Sequence, residues 1–269
     1  VTTPGGGDGG GGDGSNAHNN VSGSGSATSP TAIKYKTIAK VKSCHTEQAI
    51  AASDTSIFLS CATNHIAGTP STIHQYTLAG KEVKASGKYQ YSLIGHANDM
   101  AYNSKTKMLV VNRWRLDGSH GKDLLLIDAT NLNKTKGTAT LSGKNSINTA
   151  NICYNSAEDQ YYANRIVYDG DFKAVKVLVT ESKILKDIGQ HMNTGQGTEC
   201  NSSYVYIARS DNSDYKHSSR VLVYNWSTKV IGVYSYTRGE LEGVATANGK
   251  IYGIDGSNDD IIEITNMPV

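Results

Sequence analysis

His96-Ala97-Asn98-Asp99-Met100-Ala101-Tyr102 has the pattern of the beginning of a β-strand, and four other stretches of the chain resemble it. In each stretch a carboxylate or an amide precedes a short run of small or apolar residues. These side chains are Glu47, Asp99, Asn151, Glu199 and Glu242. Their spacings of 52, 52, 48 and 43 residues, filled with short predicted strands, are typical of propeller blades. The sequence therefore predicts an all-β fold, a five-bladed β-propeller.

The predicted strands also indicate how the ring closes. Four repeats contain four strands each, whereas the fifth contains Glu242–Ala247, Lys250–Asp255 and Asp260–Thr265. One unassigned strand, Ile33–Val41, precedes the first repeat. We expect it to pair with Asp260–Thr265 as the outer strand of the last blade, because a closed ring leaves only short sheet edges exposed. A β-sandwich, the main alternative, would not need five similar units.

Apolar runs place the strands of the individual repeats. In the first repeat, the chain is expected to turn at Gly80-Lys81, and the strands are Gln48–Ala52, Ile57–Cys61, Thr72–Leu78 and Tyr89–Ile94. In the third repeat the predicted strands are Asn151–Tyr154, Gln160–Arg165, Lys173–Val179 and Ile184–Ile188.

Residues 1–32 differ in composition from the rest of the chain. They contain the run GGGDGGGGDG, followed mainly by Ser, Asn, Gly, Ala and Thr, and show no apolar period. They are predicted to be a flexible tail or linker, and residues 33–269 to be the propeller. Because the sequence begins with Val1, we expect a processed product whose leader was a secretion signal. The expected location is therefore secreted or at the cell surface.

Charge and motif content exclude several function classes. The net charge of +2 provides no bulk attraction for nucleic acid, and no run of 18 apolar residues is present to span a membrane. The eight His and four Cys show no zinc-ligand spacing, and there is no GxSxG nucleophile motif. We expect neither a nucleic-acid partner nor a transmembrane segment.

Four cysteines allow three pairings. Cys44 precedes the first inner strand and Cys61 ends the strand hairpinned to it. A Cys44–Cys61 disulfide and two unpaired thiols remain equal alternatives, and the disulfide would fit an extracytoplasmic setting. Cys153 and Cys200 are expected to be small buried apolar side chains.

The first strand of each blade lines the central channel of a propeller, so residues far apart in sequence meet at its mouth. The residues just before the acids are His45, His96, Asn98, Asn148, Gln196 and Glu240. The surrounding loops contribute His65, Arg113, Trp114, Arg115, His120, Arg165, Tyr168, Arg209, Asp211, Tyr215, His217 and Asp255.

Four carboxylates around one narrow channel repel one another. A bound cation, a raised pKa or a nearby Arg must relieve that repulsion. Because Ca²⁺ prefers carboxylate, amide and water oxygens, a structural Ca²⁺ is one possibility. Its candidate ligands are Glu47, Asp99, Asn151, Glu199 and Glu242. Two alternatives stay open: each acid accepts backbone N–H bonds at the start of its blade, or a pair of them acts as catalytic acid and base.

Trp114 lies between Arg113 and Arg115 and is the aromatic side chain best placed for a ligand. An aromatic face can stack on a sugar ring, and Arg can hold a carboxylate or phosphate. The alternative is that Trp114 packs on the blade edge with both arginines solvated. Trp226, in a turn between outer strands, is predicted to be structural.

Gly95–Asn103 followed by Met108–Val111 resembles the blade-opening motif of a group of five-bladed propellers, and Gly195–Glu199 and Glu240–Val244 are similar to its later copies. That group occurs in secreted bacterial proteins and in phage receptor-binding proteins that recognise cell-wall glycopolymers. The resemblance implies a binding platform whose candidate contacts are His96, Asn98, Asp99, Glu199 and Glu242. The glycine-rich tail is not part of the pattern and fits a surface-displayed or assembled protein better than a phage protein.

Three functional hypotheses follow, since propellers host many functions. The leading one is a secreted or surface binding module for a glycan or cell-wall polymer. Its candidate contacts are His96, Asn98, Asp99, Arg113, Trp114, Arg115, Asn151, Arg165, Gln196, Glu199, Arg209 and Glu242. The second is an assembly subunit whose tail docks on a neighbouring copy. The third is an enzyme, either a glycoside hydrolase or lyase or a glutaminyl-cyclase-like acyl transferase, that uses two of the acids.

Overall fold

The strands form five separate sheets that follow one another along the chain. The computed structural model describes residues 29–41, 44, 46–62, 69–115, 117–144, 146, 149–163, 166–178, 194–211, 218–227 and 229–269. Within them, each sheet has four strands, except one that has five. The predicted five-bladed β-propeller is confirmed.

Two strands, β1 (Thr31–Ala32) and β2 (Tyr35–Lys40), precede the first blade. The first blade contains β3 (Thr46–Ala52), β4 (Ser56–Ala62), β5 (Ser71–Thr77) and β6 (Glu82–Ala85). A short helix, α1 (Tyr91–Ile94), leads to the second blade. That blade contains β7 (Met100–Asn103), β8 (Met108–Asn112), β9 (Asp123–Asp128) and β10 (Thr135–Thr140).

The remaining blades follow in chain order. The third contains β11 (Cys153–Asn155), β12 (Gln160–Ala163), β13 (Ile166–Tyr168) and β14 (Ala174–Val177). The fourth contains β15 (Thr194–Cys200), β16 (Tyr204–Asp211), β17 (Ser218–Asn225) and β18 (Val230–Tyr236). The fifth contains β19 (Leu241–Ala247), β20 (Lys250–Asp255) and β21 (Asp260–Ile264). Among the described residues, no helix has the length and apolar character needed to cross a membrane.

The N-terminal segment completes two blades. β2 pairs antiparallel with β21 and becomes the outer strand of the fifth blade, as predicted. β1 lies in the segment assigned to the tail from the sequence, yet it pairs in parallel with β18 at the edge of the fourth blade. Residues 1–28 of that predicted tail lie outside the described residues.

The core consists of apolar clusters between neighbouring blades. β20 and β21 carry long apolar runs because both faces of a blade are covered by its neighbours. At the seam that closes the ring, Ile50 and Ile57 of the first blade pack with Tyr252, Ile254 and Ile261 of the fifth. Burial of apolar surface at this seam favours the closed ring over an open array.

Tyrosine largely replaces phenylalanine between the blades: the chain has 16 Tyr and two Phe. The ring fills the interblade space while the hydroxyl reaches a polar partner. The Tyr161 hydroxyl accepts a 2.6 Å hydrogen bond from Asn103 Nδ2 of the neighbouring blade. The Tyr206 hydroxyl donates to the Pro268 carbonyl at 2.9 Å.

An asparagine closes the turn after the inner strand of three blades. The side-chain oxygens of Asn103, Asn155 and Asn201 accept hydrogen bonds from backbone N–H groups two or three residues later. Asn side chains readily form such turns. The Tyr-Asn-Ser repeat at Tyr102 and Tyr154 is the sequence signal for this turn.

The fourth strand of the first blade differs from the prediction. It is β6, whereas Tyr89 makes only an isolated bridge to Ser71 and Tyr91–Ile94 is helical. The reason is the tight turn at Gly80, whose N–H donates to the Thr77 carbonyl at 2.9 Å. This turn returns the chain beside β5 immediately, so β6 pairs with His74–Tyr76 and Tyr89 reaches only the end of that edge, at Ser71.

The third blade also differs. Its third strand is β13, which lies between the predicted second strand Gln160–Arg165 and the predicted third strand Lys173–Val179, and the latter corresponds to the outer strand β14. An Asp-Gly turn explains the shift, because Asp169 Oδ1 accepts from Lys173 N at 2.9 Å and joins the two short strands. The predicted strand Ile184–Ile188 lies outside the described residues.

Two disulfides are present. Cys44 pairs with Cys61 within the first blade. Cys153 pairs with Cys200 and joins the inner strands β11 and β15 of adjacent blades. Cys153 and Cys200 were expected to be small buried apolar side chains; both are buried, but they are joined in a disulfide that the sequence did not predict. They lie side by side because the inner strands of consecutive blades are neighbours around the channel.

Candidate functional site

The inner strands β3, β7, β11, β15 and β19 contact one another in a closed ring around the channel. A register irregularity interrupts the ladder between the first two strands of the first, fourth and fifth blades. In chain order, Glu47 is the last residue before the irregularity of its blade, and Glu242 lies inside the irregularity of the fifth blade. Glu199 follows the irregularity of the fourth blade. Asp99 and Asn151 precede the strands β7 and β11. The five residues therefore do not occupy equivalent positions in their blades.

Asp99 crosses the channel and links three blades. Its Oδ1 accepts from Met100 N at 2.9 Å, and its Oδ2 accepts from Ile152 N at 2.8 Å and Thr198 N at 2.9 Å. The side chain is 2% exposed. Burial raises the pKa of Asp99 well above its usual range, while the three backbone N–H bonds act in the opposite direction. Asp99 thus accepts backbone N–H bonds. This was one of the two alternatives to the predicted role of Asp99 as a Ca²⁺ ligand.

Glycines of two other blades make room for the Asp99 side chain. A Cβ at Gly197 would lie 3.4 Å from Asp99 Oδ1 and 2.8 Å from the Cα of Gly243. A Cβ at Gly243 would in turn lie 3.1 Å from Ile50 Cγ2. The inner strands therefore approach one another so closely here that a side chain at Gly197 would collide with the backbone of Gly243.

Asn98, Asn151 and Gln196 form a hydrogen-bond network at the start of the inner strands. The Nδ2 groups of Asn98 and Asn151 both donate to the Gln196 carbonyl at 3.1 Å. Gln196 Nε2 donates to Ser210 Oγ at 2.7 Å and to Glu240 Oε1 at 2.5 Å. These amides therefore bind one another across blades two, three and four. Ser210, which the sequence did not single out, belongs to the same network.

Glu199 is half-buried and binds the fifth blade. Its Oε1 accepts from Thr246 Oγ1 at 2.7 Å and from Thr246 N at 3.1 Å. Burial raises the pKa of Glu199 to about 7, and the bonds from Thr246 act against that rise. The contact holds β15 against β19.

Glu47 and Glu242 are the two predicted acids that lack such partners. Glu47 is 0% exposed, and neither of its carboxylate oxygens has a hydrogen-bond partner among the described residues. Burial is the largest cause that raises the pKa of Glu47 to about 7, and the charges of Asp259 and Asp255 add to it. Burial also raises the pKa of Glu242 well above its usual range, with contributions from Glu240, Glu47 and Asp255.

The raised pKa of Glu47 predicts a stability that falls as pH rises. The folded protein holds the proton up to about pH 7, whereas the unfolded chain releases it near pH 4.5. In metal-free buffer, Glu47 alone should therefore lower the free energy of unfolding by about 3 kcal/mol between about pH 4 and 8. Glu47→Gln should remove this part of the pH dependence. Urea unfolding at several pH values measures it, and an unchanged slope in the variant would contradict the assignment.

Trp114 lies in the loop after β8 and is held against His96, in the segment that leads into β7. Its backbone N–H donates to Asn112 Oδ1 at 2.9 Å, and its carbonyl accepts from His96 N at 2.8 Å. The half-buried ring meets the His96 ring edge-on, with 5.9 Å between centroids. Burial lowers the pKa of His96 to about 4, so this imidazole is neutral at physiological pH. The pair forms a partly exposed aromatic surface next to Asn98.

The two arginines beside Trp114 are attached to helix α1. Arg113 donates to the Ser92 carbonyl at 2.8 Å, and Arg115 donates to the same oxygen at 3.3 Å. The Arg115 guanidinium also lies 5.7 Å from the centre of the Tyr91 ring. Both arginines are half-buried, and because each guanidinium carries several N–H groups, the bonds to Ser92 use only part of its donors. Sequence reasoning missed α1 as their partner because it was predicted to be a strand.

The remaining predicted loop residues are dispersed. His120 Nδ1 bonds Asp123 Oδ2 at 2.6 Å, and the Tyr168 hydroxyl lies 3.2 Å from Ser146 Oγ. Arg209 is half-buried in β16. The other predicted mouth residues His45, His65, Asn148, Arg165, Tyr215 and His217 lie outside the described residues. The prediction that Trp226 is structural is confirmed, since its Nε1 donates to the Asn201 carbonyl at 2.8 Å.

The chain matches no protein-family model and no curated protein sequence. Among solved structures, one similar chain comes from the crystal structure of a nidogen/laminin complex. It is 12% identical with a TM-score of 0.49, over 81% of this chain and 74% of that chain. Another is the WD40 β-propeller domain of Doa1, which is 9% identical with a TM-score of 0.43, over 87% of this chain and 88% of that domain. Neither similarity bears on function.

Proposed function

We propose that this propeller is a secreted or surface-displayed binding module that holds a glycan or cell-wall polymer at the mouth of its channel, against Trp114. Propellers in general serve as binding or scaffold modules, and the ligand is set by the site and not by the fold. The observation that carries the proposal is the Trp114–His96 surface, fixed to the backbone and flanked by two positioned arginines.

The chemistry of this surface suits a sugar. The half-exposed face of Trp114 can stack on the C–H face of a pyranose ring. The neutral His96 can donate and accept hydrogen bonds, as hydroxyl groups require. The N–H groups of Arg113 and Arg115 that do not bind Ser92 can take a carboxylate or phosphate of an anionic wall polymer.

The rigid attachment of the surface supports binding over a purely structural role. Trp114 is anchored at its N–H and at its carbonyl. The backbone that carries the Trp114 ring is therefore already ordered, so little backbone entropy is lost when a ligand binds.

The two disulfides support an extracytoplasmic location. Cys44–Cys61 and Cys153–Cys200 account for all four cysteines. Disulfides of this kind persist in oxidising compartments and are rare in the cytosol. A cell-wall or glycan ligand would be available in that setting.

The two alternative functions have less support. An enzyme that cleaves glycosidic bonds needs two carboxyl groups in a cleft open to a sugar, whereas Asp99 and Glu47 are buried and Glu199 binds Thr246. The assembly hypothesis depends on the tail, and residues 1–28 lie outside the described residues.

Replacing Trp114 with alanine should weaken glycan binding at least tenfold. We would screen the full-length protein on a glycan array and on purified wall polysaccharides, then measure affinity for the best ligand by calorimetry. Tyr35→Ala is the matched control, because Tyr35 is 37% exposed on the outer strand of the fifth blade. Equal affinity in Trp114→Ala and wild type, or a wild type that binds no glycan, would count against the proposal.

A further inference from the structure

Glu47 is a buried carboxylate without a described partner. It lies at the start of β3 and is 0% exposed, and neither Oε1 nor Oε2 has a hydrogen-bond partner elsewhere among the described residues. As a donor, only its own backbone N–H acts on the carboxylate, and it lowers the pKa of Glu47 less than burial raises it. Two other acids at the inner strands have partners, as shown by the three N–H donors of Asp99 and by the Thr246 contacts of Glu199. A buried carboxylate that is neither bonded nor paired is strongly unfavourable. Its oxygens therefore indicate a missing partner.

Glu242 lies on the neighbouring inner strand β19 and is 9% exposed. No described hydrogen bond or ion pair involves its carboxylate. The loop after β20 covers it, since a Cβ at Gly256 would lie 2.9 Å from Glu242 Oε1. The strands β3 and β19 are packed closely, with the Cβ position of Gly243 only 3.1 Å from Ile50 Cγ2. The charge of Glu47 acts on Glu242, so the two carboxylates are neighbours where the first and last blades meet.

The charges near this pair are negative. Asp255, Asp259 and Glu240 are the charged side chains that act on Glu47 and Glu242. Arg238 approaches Asp255 at 3.9 Å but forms its close ion pair, at 2.6 Å, with Asp260. The described residues therefore place no cationic side chain on either glutamate.

We propose that Glu47 and Glu242 bind a divalent cation of the Ca²⁺ class between the first and last blades. Both donors are carboxylate oxygens, which hard cations prefer. The described residues contain no group of three His, Cys, Asp or Glu side chains arranged to hold a metal. Backbone carbonyl oxygens and water must therefore complete the coordination, as Ca²⁺ tolerates. The cation neutralises the pair and holds together the two blades that close the ring.

Calcium binding to the full-length protein tests this proposal. After treatment with EDTA at pH 8, equilibrium dialysis should show one Ca²⁺ per chain, and saturating Ca²⁺ should raise the melting temperature by mass action. Glu47→Gln and Glu242→Gln should each weaken Ca²⁺ binding at least tenfold. Glu199→Gln, in which a different inner-strand carboxylate is removed, should bind Ca²⁺ like the wild type.

Two results would overturn the proposal. One is a wild type that binds neither Ca²⁺ nor the luminescent probe Tb³⁺, which would mean that the pair is neutralised by protons. The other is equal Ca²⁺ binding by Glu47→Gln and the wild type. Loss of folding does not blur the outcome, because Glu47→Gln removes a buried charge and should be at least as stable as the wild type in EDTA at pH 8.

Discussion

Asp99→Ala is expected to lower the free energy of unfolding by about 4 kcal/mol, because three buried backbone N–H groups lose their acceptor at 1–3 kcal/mol each. Those groups belong to the second, third and fourth blades. The loss should therefore loosen the contact among three inner strands at once. Urea unfolding followed by circular dichroism measures the change as a shift in the midpoint at constant slope.

Two further variants test whether the lost hydrogen bonds cause the destabilisation in Asp99→Ala. Asp99→Asn keeps one oxygen for Ile152 and Thr198 but directs an NH₂ group at Met100 N, so we expect a loss of about 2 kcal/mol. Asp117→Ala removes an exposed carboxylate that bonds only Ser119 in the described structure, and it should change stability by less than about 0.5 kcal/mol. If Asp99→Ala were as stable as Asp117→Ala, the role of Asp99 in joining three blades through backbone N–H bonds would be incorrect.

Gly95→Ala is expected to be equally severe, with a loss of about 4 kcal/mol or failure to fold at 37 °C. Gly95 ends helix α1 with φ +68°, and a Cβ would lie 2.3 Å from the Arg113 carbonyl oxygen. Both atoms in this overlap are held by the backbone, so no side-chain rotation relieves it. The opening of the second blade and the Trp114 loop would have to separate.

Gly118→Ala is the matched control for this prediction. Gly118 also has a positive φ, +76°, but no atom lies within 4 Å of its Cβ position. Only the strain of the left-handed conformation remains, which costs about 1 kcal/mol. Thermal unfolding of both variants separates steric overlap from backbone strain. A similar loss in the two variants would show that the contact between Gly95 and Arg113 is unimportant.

The ring and its closure were predictable because they depend on periodicity and on strand counting. Five spaced copies of one pattern, with a surplus strand at one end and a missing strand at the other, define a closed propeller. The position of β6 was missed because propensity favoured the aromatic run at Tyr89, whereas the turn at Gly80 decides which segment pairs with β5. Turn geometry, and not apolar content, determines which segment pairs with the outer edge of β5.

The site was predictable only in part, because regular spacing of the five acidic or amide residues along the chain does not give them equivalent positions in their blades. Irregularities in the inner ladders displace Glu47, Glu242 and Glu199 relative to one another. The inner strand β19 is buried on both faces, so its apolar run has no alternation in which an extra residue would be visible. The contrast between a satisfied Asp99 and an unpartnered Glu47 likewise depends on which backbone N–H groups point into the channel.

The pairing of β2 with β21 places the earliest and latest parts of the propeller in one sheet; Thr37 and Asp260, which bond across it, are 223 residues apart. During ribosomal synthesis, β2 must wait without its partner strand until nearly the whole chain has emerged. Blades one to four can assemble in the order of translation, but the fifth can form only afterwards. Because the fifth blade forms last, the unpaired β2 is the strand most exposed to mispairing with another nascent chain. A chaperone that covers β2 until synthesis ends would prevent this mispairing.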